Sequence, residues 1–155
     1  MLFFVVLLGC DTSESVKPRN EQFFVKLIGE EDDDYGNDVI QASDGGYVIV
    51  GRHESPEALE PDFLIIKTDR SGNTEWINRD VQKGEAVSVV EVDGSFVVGG
   101  TTGAGNNRRS VVLKVNGSGA IQGVPVTIET RNDQTGVTYF NELRKITKGP
   151  TGLSV

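Results

Sequence analysis

Apolar residues along the chain fall into short runs set between turn-forming clusters: residues 23–28, 47–50, 63–66, 96–98 and 111–113. Several runs are continuous rather than alternating, which predicts strands buried on both faces. Burial of that kind often accompanies a parallel sheet, but the connections here are too short for one. Asp44-Gly45 and Asp93-Gly94 leave room only for hairpin turns, and Asp69-Arg70-Ser71-Gly72 makes a tight reversal before residue 74. Parallel pairs need crossovers of about a dozen residues or more. The strands are therefore expected to pair antiparallel.

The runs also recur. Asp44-Gly45-Gly46-Tyr47-Val48-Ile49-Val50-Gly51 returns as Asp93-Gly94-Ser95-Phe96-Val97-Val98-Gly99-Gly100, an offset of 93 − 44 = 49. Ile65-Ile66-Lys67-Thr68-Asp69-Arg70-Ser71-Gly72 returns as Val112-Leu113-Lys114-Val115-Asn116-Gly117-Ser118-Gly119, an offset of 112 − 65 = 47. A period of this size marks a repeat architecture in which each unit buries itself against its neighbours. Antiparallel sheets covered on both faces and repeating near every fifty residues predict an all-β fold of the β-propeller type, built of four-stranded blades. One blade is expected over strands 38–43, 46–52, 63–68 and 74–80, and a second over 86–92, 95–101, 110–115 and 120–128. A third begins where residues 146–155 align with 40–49 at an offset of 146 − 40 = 106. Phe24 matches Trp76 at an offset of 76 − 24 = 52, which puts residues 23–28 in the place of a fourth strand. Propellers have about four to eight blades. The chain, with about two and a half, is expected to be a fragment of a larger ring that residues 23–28 would help to close.

The residues Asp44-Gly45-Gly46-Tyr47 with Gly51, Asp62 with Lys67 and Asp69, Gly72-Asn73 and Trp76 resemble the tandem repeat of bacterial and archaeal lipid-anchored β-propellers. Those blades run DGGY-x-x-x-G and then D-x-x-x-x-K-x-D-x-x-G-N-x-x-W, and the approach Asp33-Asp34-Tyr35-Gly36-Asn37-Asp38 is similar to theirs. Gly99-Gly100 is also similar to the glycine pair of kelch propellers. The second repeat departs from the pattern, with Gly123, Ala120 and Arg109 at the positions of Trp76, Asn73 and Asp62. The resemblance implies an envelope protein that serves as an interaction module; it transfers no activity.

The N-terminus bears on location. Residues 1–9 form an unbroken apolar run before Cys10, the only cysteine. The run is far shorter than the roughly 20 residues needed to span a bilayer and has the length of a signal-peptide core. Leu7-Leu8-Gly9-Cys10 resembles a bacterial lipobox, although no Lys or Arg precedes the run. The resemblance implies lipidation at Cys10 and a membrane anchor at the cell envelope, periplasmic or surface-exposed. The expected organisation is a signal peptide with lipobox over 1–9, an anchor cysteine and tether over 10–22, and a partial propeller over 23–155, with repeats near 38–80, 86–128 and an incomplete 137–155. A single cysteine excludes an intrachain disulfide. The net charge of −8 argues against nucleic acid as partner, because phosphate binding needs clustered Lys and Arg.

Chemistry-bearing residues are sparse. Asp32, Asp33 and Asp34, in the acidic run with Glu30 and Glu31, are candidates for Ca²⁺, which takes six to eight oxygen ligands. Their spacing is not that of a calcium loop, and a solvated loop is the favoured reading. The clusters Asp44-Gly45-Gly46 and Asp69 with Gly72-Asn73 are read as turns in which Asp caps its own backbone and Gly takes a positive φ. His53, the only histidine, has no visible metal or nucleophile partner and is expected in a surface loop. Trp76 suits stacking on a sugar, though packing between blades is favoured. Residues 99–105 are glycine-rich but lack the helix start or Lys-Ser/Thr ending of a phosphate cradle. Asn106, Asn107 and Arg108 offer a basic, amide-rich contact surface for a ligand. No catalytic constellation emerges. The expected function is binding at the envelope, with a protein or glycan partner and no cofactor. The alternatives are an assembly scaffold, or a propeller enzyme (hydrolase or oxidoreductase) whose active site lies in other blades.

Overall fold

The computed structural model describes residues 25–29, 32–104, 107–128, 130–131, 138–139, 142–149 and 152–154. The signal-like run, Cys10 and the predicted tether lie outside them, as do Phe23 and Phe24. Among the described residues the structure is all-β, with no α-helix. Strands β1 (Asp33–Gln41), β2 (Tyr47–Glu54), β3 (Asp62–Thr68) and β4 (Thr74–Asn78) make one antiparallel sheet in chain order. Strands β5 (Glu85–Val92), β6 (Ser95–Thr102), β7 (Arg109–Asn116) and β8 (Val126–Ile128) make a second. Two small antiparallel pairs follow, β9 (Thr130–Arg131) with β10 (Thr138–Tyr139) and β11 (Thr147–Gly149) with β12 (Gly152–Ser154).

The sequence repeat is a repeat of register. Tyr47 pairs with Thr68 in the first sheet as Phe96 pairs with Val115 in the second, and the offsets, 96 − 47 = 49 and 115 − 68 = 47, are those of the sequence. Each sheet's first strand carries a bulge, between Gly36 and Asp38 and between Ala86 and Ser88. Gly51 and Gly100 lie opposite those bulges, paired with Gly36 and Ala86. A Cβ at either glycine would run into a backbone carbonyl, that of Tyr35 or of Glu85. The recurring glycine thus answers a close backbone approach. The turns repeat as well. Asp69 Oδ1 accepts hydrogen bonds from the backbone N–H groups of Ser71 (2.7 Å) and Asn73 (2.9 Å). Asn116 Oδ1 accepts those of Ser118 (3.0 Å) and Ala120 (2.9 Å).

Several boundaries differ from the sequence reading. β1 begins at Asp33 rather than 38, because the acidic approach is itself paired with β2. The fourth strand of the second sheet is only Val126–Ile128, preceded by one bridge between Val115 and Ile121. Gly123 at φ 77° and Pro125, which has no N–H to donate, interrupt it. Residues 25–29 carry no strand.

The two sheets stack face to face. Val48 and Val50 of β2 with Phe63 and Ile65 of β3 pack in one core with Val89, Phe96, Val98, Val111, Leu113 and Val115 of the second sheet. The repeat offsets turn Val48, Val50 and Ile65 into Val97, Gly99 and Val112, which lie on the opposite face of the second sheet. There Val97 packs with Leu143 and Ile146, with Val112 alongside. The front of one sheet therefore meets the back of the next, and the front of the second meets the segment leading into β11. One polar contact recurs with the packing. Asp38 Oδ2 accepts the Val89 N–H at 3.1 Å, and Ser88 Oγ, at Asp38's position, accepts the Ile146 N–H at 3.1 Å. β3 is buried along its whole length and β6 nearly so, as their unbroken apolar runs predict.

Candidate functional site

The two ends of the stack are built differently. One carries the tight turns 42–46, 69–73, 93–94 and 116–120, in which Asp44, Asp69 and Asn116 cap their own backbone: Gly46 N–H donates to Asp44 Oδ1 at 2.8 Å, and Gly45 holds φ 87°. Beneath the first turn Lys67 is buried, with Nζ 2.7 Å from Asp44 Oδ2, 3.1 Å from Glu75 Oε2 and 2.9 Å from the Thr68 carbonyl. Burial alone would lower its pKa, but the hydrogen bonds to Asp44 and Glu75 outweigh burial and the ammonium is held above its ordinary range. The Lys67 hydrogen bond in turn holds the Asp44 carboxyl below the usual carboxylate range. The hydrogen bond from the Asn73 side chain does the same for Asp69. These groups are committed to structure, as the turn reading expected.

The other end carries the longer connections 55–61 and 79–84, the described residues 103–104 and 107–108, and a network of charge. Cross-strand register puts Tyr35 beside Arg52, and the guanidinium carbon lies 4.3 Å from the ring centroid, a cation–π contact. Arg52 Nε reaches Glu54 at 2.7 Å and Nη1 reaches Glu85 at 3.2 Å. Asn37 donates to Glu85 Oε1 (2.9 Å) and to the Ala86 carbonyl (2.8 Å), tying the first sheet to the start of β5. The same register sets His53 against Asp34. His53 Nδ1 lies 2.8 Å from Asp34 Oδ1 and Nε2 lies 3.6 Å from Asp32 Oδ2, while Arg79 Nη2 is 3.5 Å from Asp34 Oδ2. Lys83 Nζ bonds Asp62 Oδ2 at 2.7 Å.

Two sequence readings are corrected here. His53 is no surface-loop residue: it belongs to β2, and its side chain is only 13% exposed. Asp34 is no member of a solvated loop: it sits in β1 with a side chain 10% exposed. Asp33 alternates to the exposed side. Among the described residues no group of three or more His, Cys, Asp or Glu side chains is arranged to hold a metal ion. Asp32 and Asp34 act as partners of His53 and Arg79.

Between the loops at this end lies a groove of about 580 Å³ lined by Leu59, Glu60, Pro61, Glu85, Thr101 and Arg108, among others. Leu59 stands wholly exposed at its rim. Arg108 reaches the groove but is already paired with Glu142, which also holds Arg144 at 2.7 Å. Asn107 is exposed beside it, and Asn106 lies outside the described residues. Trp76 is at the opposite end. Its ring centroid is 6.5 Å from that of Phe96, its Nε1–H donates to the Gly117 carbonyl at 2.9 Å, and its indole covers Gly119. That is packing between the sheets. Sequence reasoning missed Arg52, Glu85 and Arg79, and it missed the pairing of His53 with Asp34. Counting outward from the first hairpin would have found that pairing but for the bulge at Asn37, which shifts the register by one residue. The chain matches no protein-family model, and no curated protein matches it.

Proposed function

We propose that this chain is part of an exported, lipid-anchored β-propeller protein that binds a polypeptide partner at the bacterial cell envelope through its loop end. The observation that carries the propeller reading is the recurring front-to-back step, in which Asp38 holds the Val89 N–H and Ser88 holds the Ile146 N–H. A step that repeats head to tail generates a ring when its rotation closes, and blades of four antiparallel strands are the propeller's unit. The repeats resembling lipid-anchored propellers, and the lipobox-like Leu7-Leu8-Gly9-Cys10, support the envelope location.

The division of the stack supports the binding role. Its tight-turn end is closed by hydrogen bonds within and between the turns, whereas the loop end offers a groove with an exposed leucine beside the Glu60 carboxylate. An apolar anchor beside an acidic group suits a segment carrying both apolar and basic residues. The reading gives the chain no catalytic step. Its test has two parts. Cys10→Ala is expected to move the protein from the membrane to the soluble fraction, and unchanged fractionation overturns the anchor. Leu59→Glu is expected to abolish site-specific photocrosslinking from Ala104 to a partner in intact envelopes without changing the melting temperature. Crosslinking that survives the substitution overturns the groove.

A further inference from the structure

The residues that recur between the units, such as Gly51 with Gly100 and Asp69 with Asn116, hold bulges and turns. A polar cluster that the repeat does not call for has no such duty. Arg108, Glu142 and Arg144 form one beside the loop-end groove. Their counterparts by the repeat offsets are Pro61 (108 − 61 = 47), Gly36 (142 − 36 = 106) and Asp38 (144 − 38 = 106). Glu142 Oε1 accepts a hydrogen bond from Arg108 Nη1, and Glu142 Oε2 accepts one from Arg144 Nη2 at 2.7 Å. Leu143 and Ile146 are buried against Val97 of β6, and this packing carries Glu142 to the side of Arg108. Two guanidiniums therefore share one carboxylate, a local excess of positive charge in a chain of net charge −8. Both ion pairs are open to water, with the Arg108, Glu142 and Arg144 side chains 42%, 36% and 85% exposed.

We infer that Arg108 receives a carboxylate of the polypeptide bound in the groove, and that Glu142 is that carboxylate's stand-in while the groove is empty. The inference rests on the groove reading proposed above and names what the partner carries. When a ligand carboxylate arrives, Arg108 exchanges Glu142 for it within the groove that the arginine already lines. Arg144 stays behind to neutralise Glu142, so no charge is left without a partner. Exposed ion pairs contribute little and are easily exchanged. A planar guanidinium can grip a carboxylate through two parallel hydrogen bonds, which adds geometric selectivity. The groove then has a direction. Leu59 and Glu60 line it on the connection between β2 and β3, and Arg108 lines it on the connection between β6 and β7. A segment with its basic residue at Glu60, its apolar residue on Leu59 and its carboxylate at Arg108 fits one way round. Reversed, it sets like charges against each other at both ends.

The experiment selects short random peptides on the immobilised full chain, from one library with free C-termini and one with amidated C-termini. Enriched peptides are expected to carry a carboxylate. Binders from the free-acid library alone assign it to the C-terminus, and binders from both assign it to Asp or Glu. With such a peptide, Arg108→Gln is expected to weaken binding about tenfold. The same variant is expected to bind the peptide and its carboxylate-to-amide analogue equally well, which a merely structural role for Arg108 would not produce. Glu142→Gln is expected to tighten binding by up to about fivefold, and to change nothing once Arg108→Gln is present. Enriched peptides without a carboxylate, or affinity unmoved by Arg108→Gln, overturn the inference while Leu59→Glu still abolishes binding. Peptides that bind Leu59→Glu undiminished, or no enrichment from either library, overturn the groove reading itself, so the two failures are distinct.

Discussion

The back faces of the two sheets carry matching residues and meet different surroundings. On the second sheet Val89, Phe96 and Val98 are 1%, 3% and 0% exposed, because the front of the first sheet covers them. Their counterparts on the first sheet are Val39, Tyr47 and Ile49. Val39 is 58% exposed, and Tyr47 and Ile49 are half-buried. The two faces are equally apolar, so the difference lies in what is stacked on them. The cavity of about 390 Å³ beside Tyr47 and Gly72 makes the same point. By the repeat offsets these are the counterparts of Phe96 and Gly119, against which Trp76 packs. The first sheet thus repeats the apolar pattern of the second on its back face, where Val25, Lys26 and Ile28 line the cavity with it.

The largest expected effect comes from exchanging one counterpart for the other. Phe96→Ala opens a void under a covered face and is expected to cost about 3–5 kcal/mol, whereas Tyr47→Ala, at a half-buried ring, is expected to cost less than half of that. Chemical denaturation of both variants measures the difference. Equal losses would mean that the first sheet's back face is covered in solution after all, and the comparison would fail.

A narrower test uses the glycines opposite the bulges. Gly51→Ala and Gly100→Ala each force a methyl against a backbone carbonyl, but at Gly100 the Phe63 ring of the facing sheet is in the way as well. Both should destabilise, and Gly100→Ala is expected to exceed Gly51→Ala by about 1–2 kcal/mol. A smaller loss at 100 than at 51 would show that the front of the first sheet yields easily, contrary to its close packing.

Much of this is legible in the sequence. The offsets of 49 and 47 came from turn residues and apolar runs, and these are the features that fix register: Asp69 and Asn116 hold the same turn, and Gly51 and Gly100 sit at the same bulge. The continuous runs of β3 and β6 reported burial on both faces correctly. Less legible was whatever depends on a residue's neighbours in the next layer. Nothing in the sequence near His53 names Asp34, nineteen positions away, because one unpaired residue at the bulge shifts which side chains meet. Tyr47 and Phe96 read alike in sequence and differ only through the sheet placed over one of them. The groove at the loop end was only half visible. Asn107 and Arg108 stood out as polar, but the pairing of Arg108 with Glu142 joins segments that no local pattern connects.

The smallest effect separates the two lysines at equivalent positions. Lys67 is buried and bonded to Asp44 and Glu75, whereas Lys114, its counterpart at 114 − 67 = 47, is exposed. The first hairpin, which closes with residues 42–46, folds Asp44 over Lys67. The second hairpin pairs Val92 with Ser95 directly and makes a two-residue turn, with Asp93 and Gly94 at φ 51° and 71°. The folded Asp44 carboxyl is held below its ordinary 3.8, so its contribution is complete above that value and is lost as pH falls through the lower folded value. Lys67, held above its ordinary 10.5, contributes below that pH and loses its contribution only as pH rises through the higher folded value. Asp44 is 57% exposed, and solvent screening limits the acid-side term to less than about 1 kcal/mol. Lys67→Met is therefore expected to flatten the fall in stability below pH 3.8, while Lys114→Met leaves it unchanged. If the two variants show the same acid limb, the longer turn of the first sheet makes no electrostatic difference, and the equivalence of the two units extends to their charges.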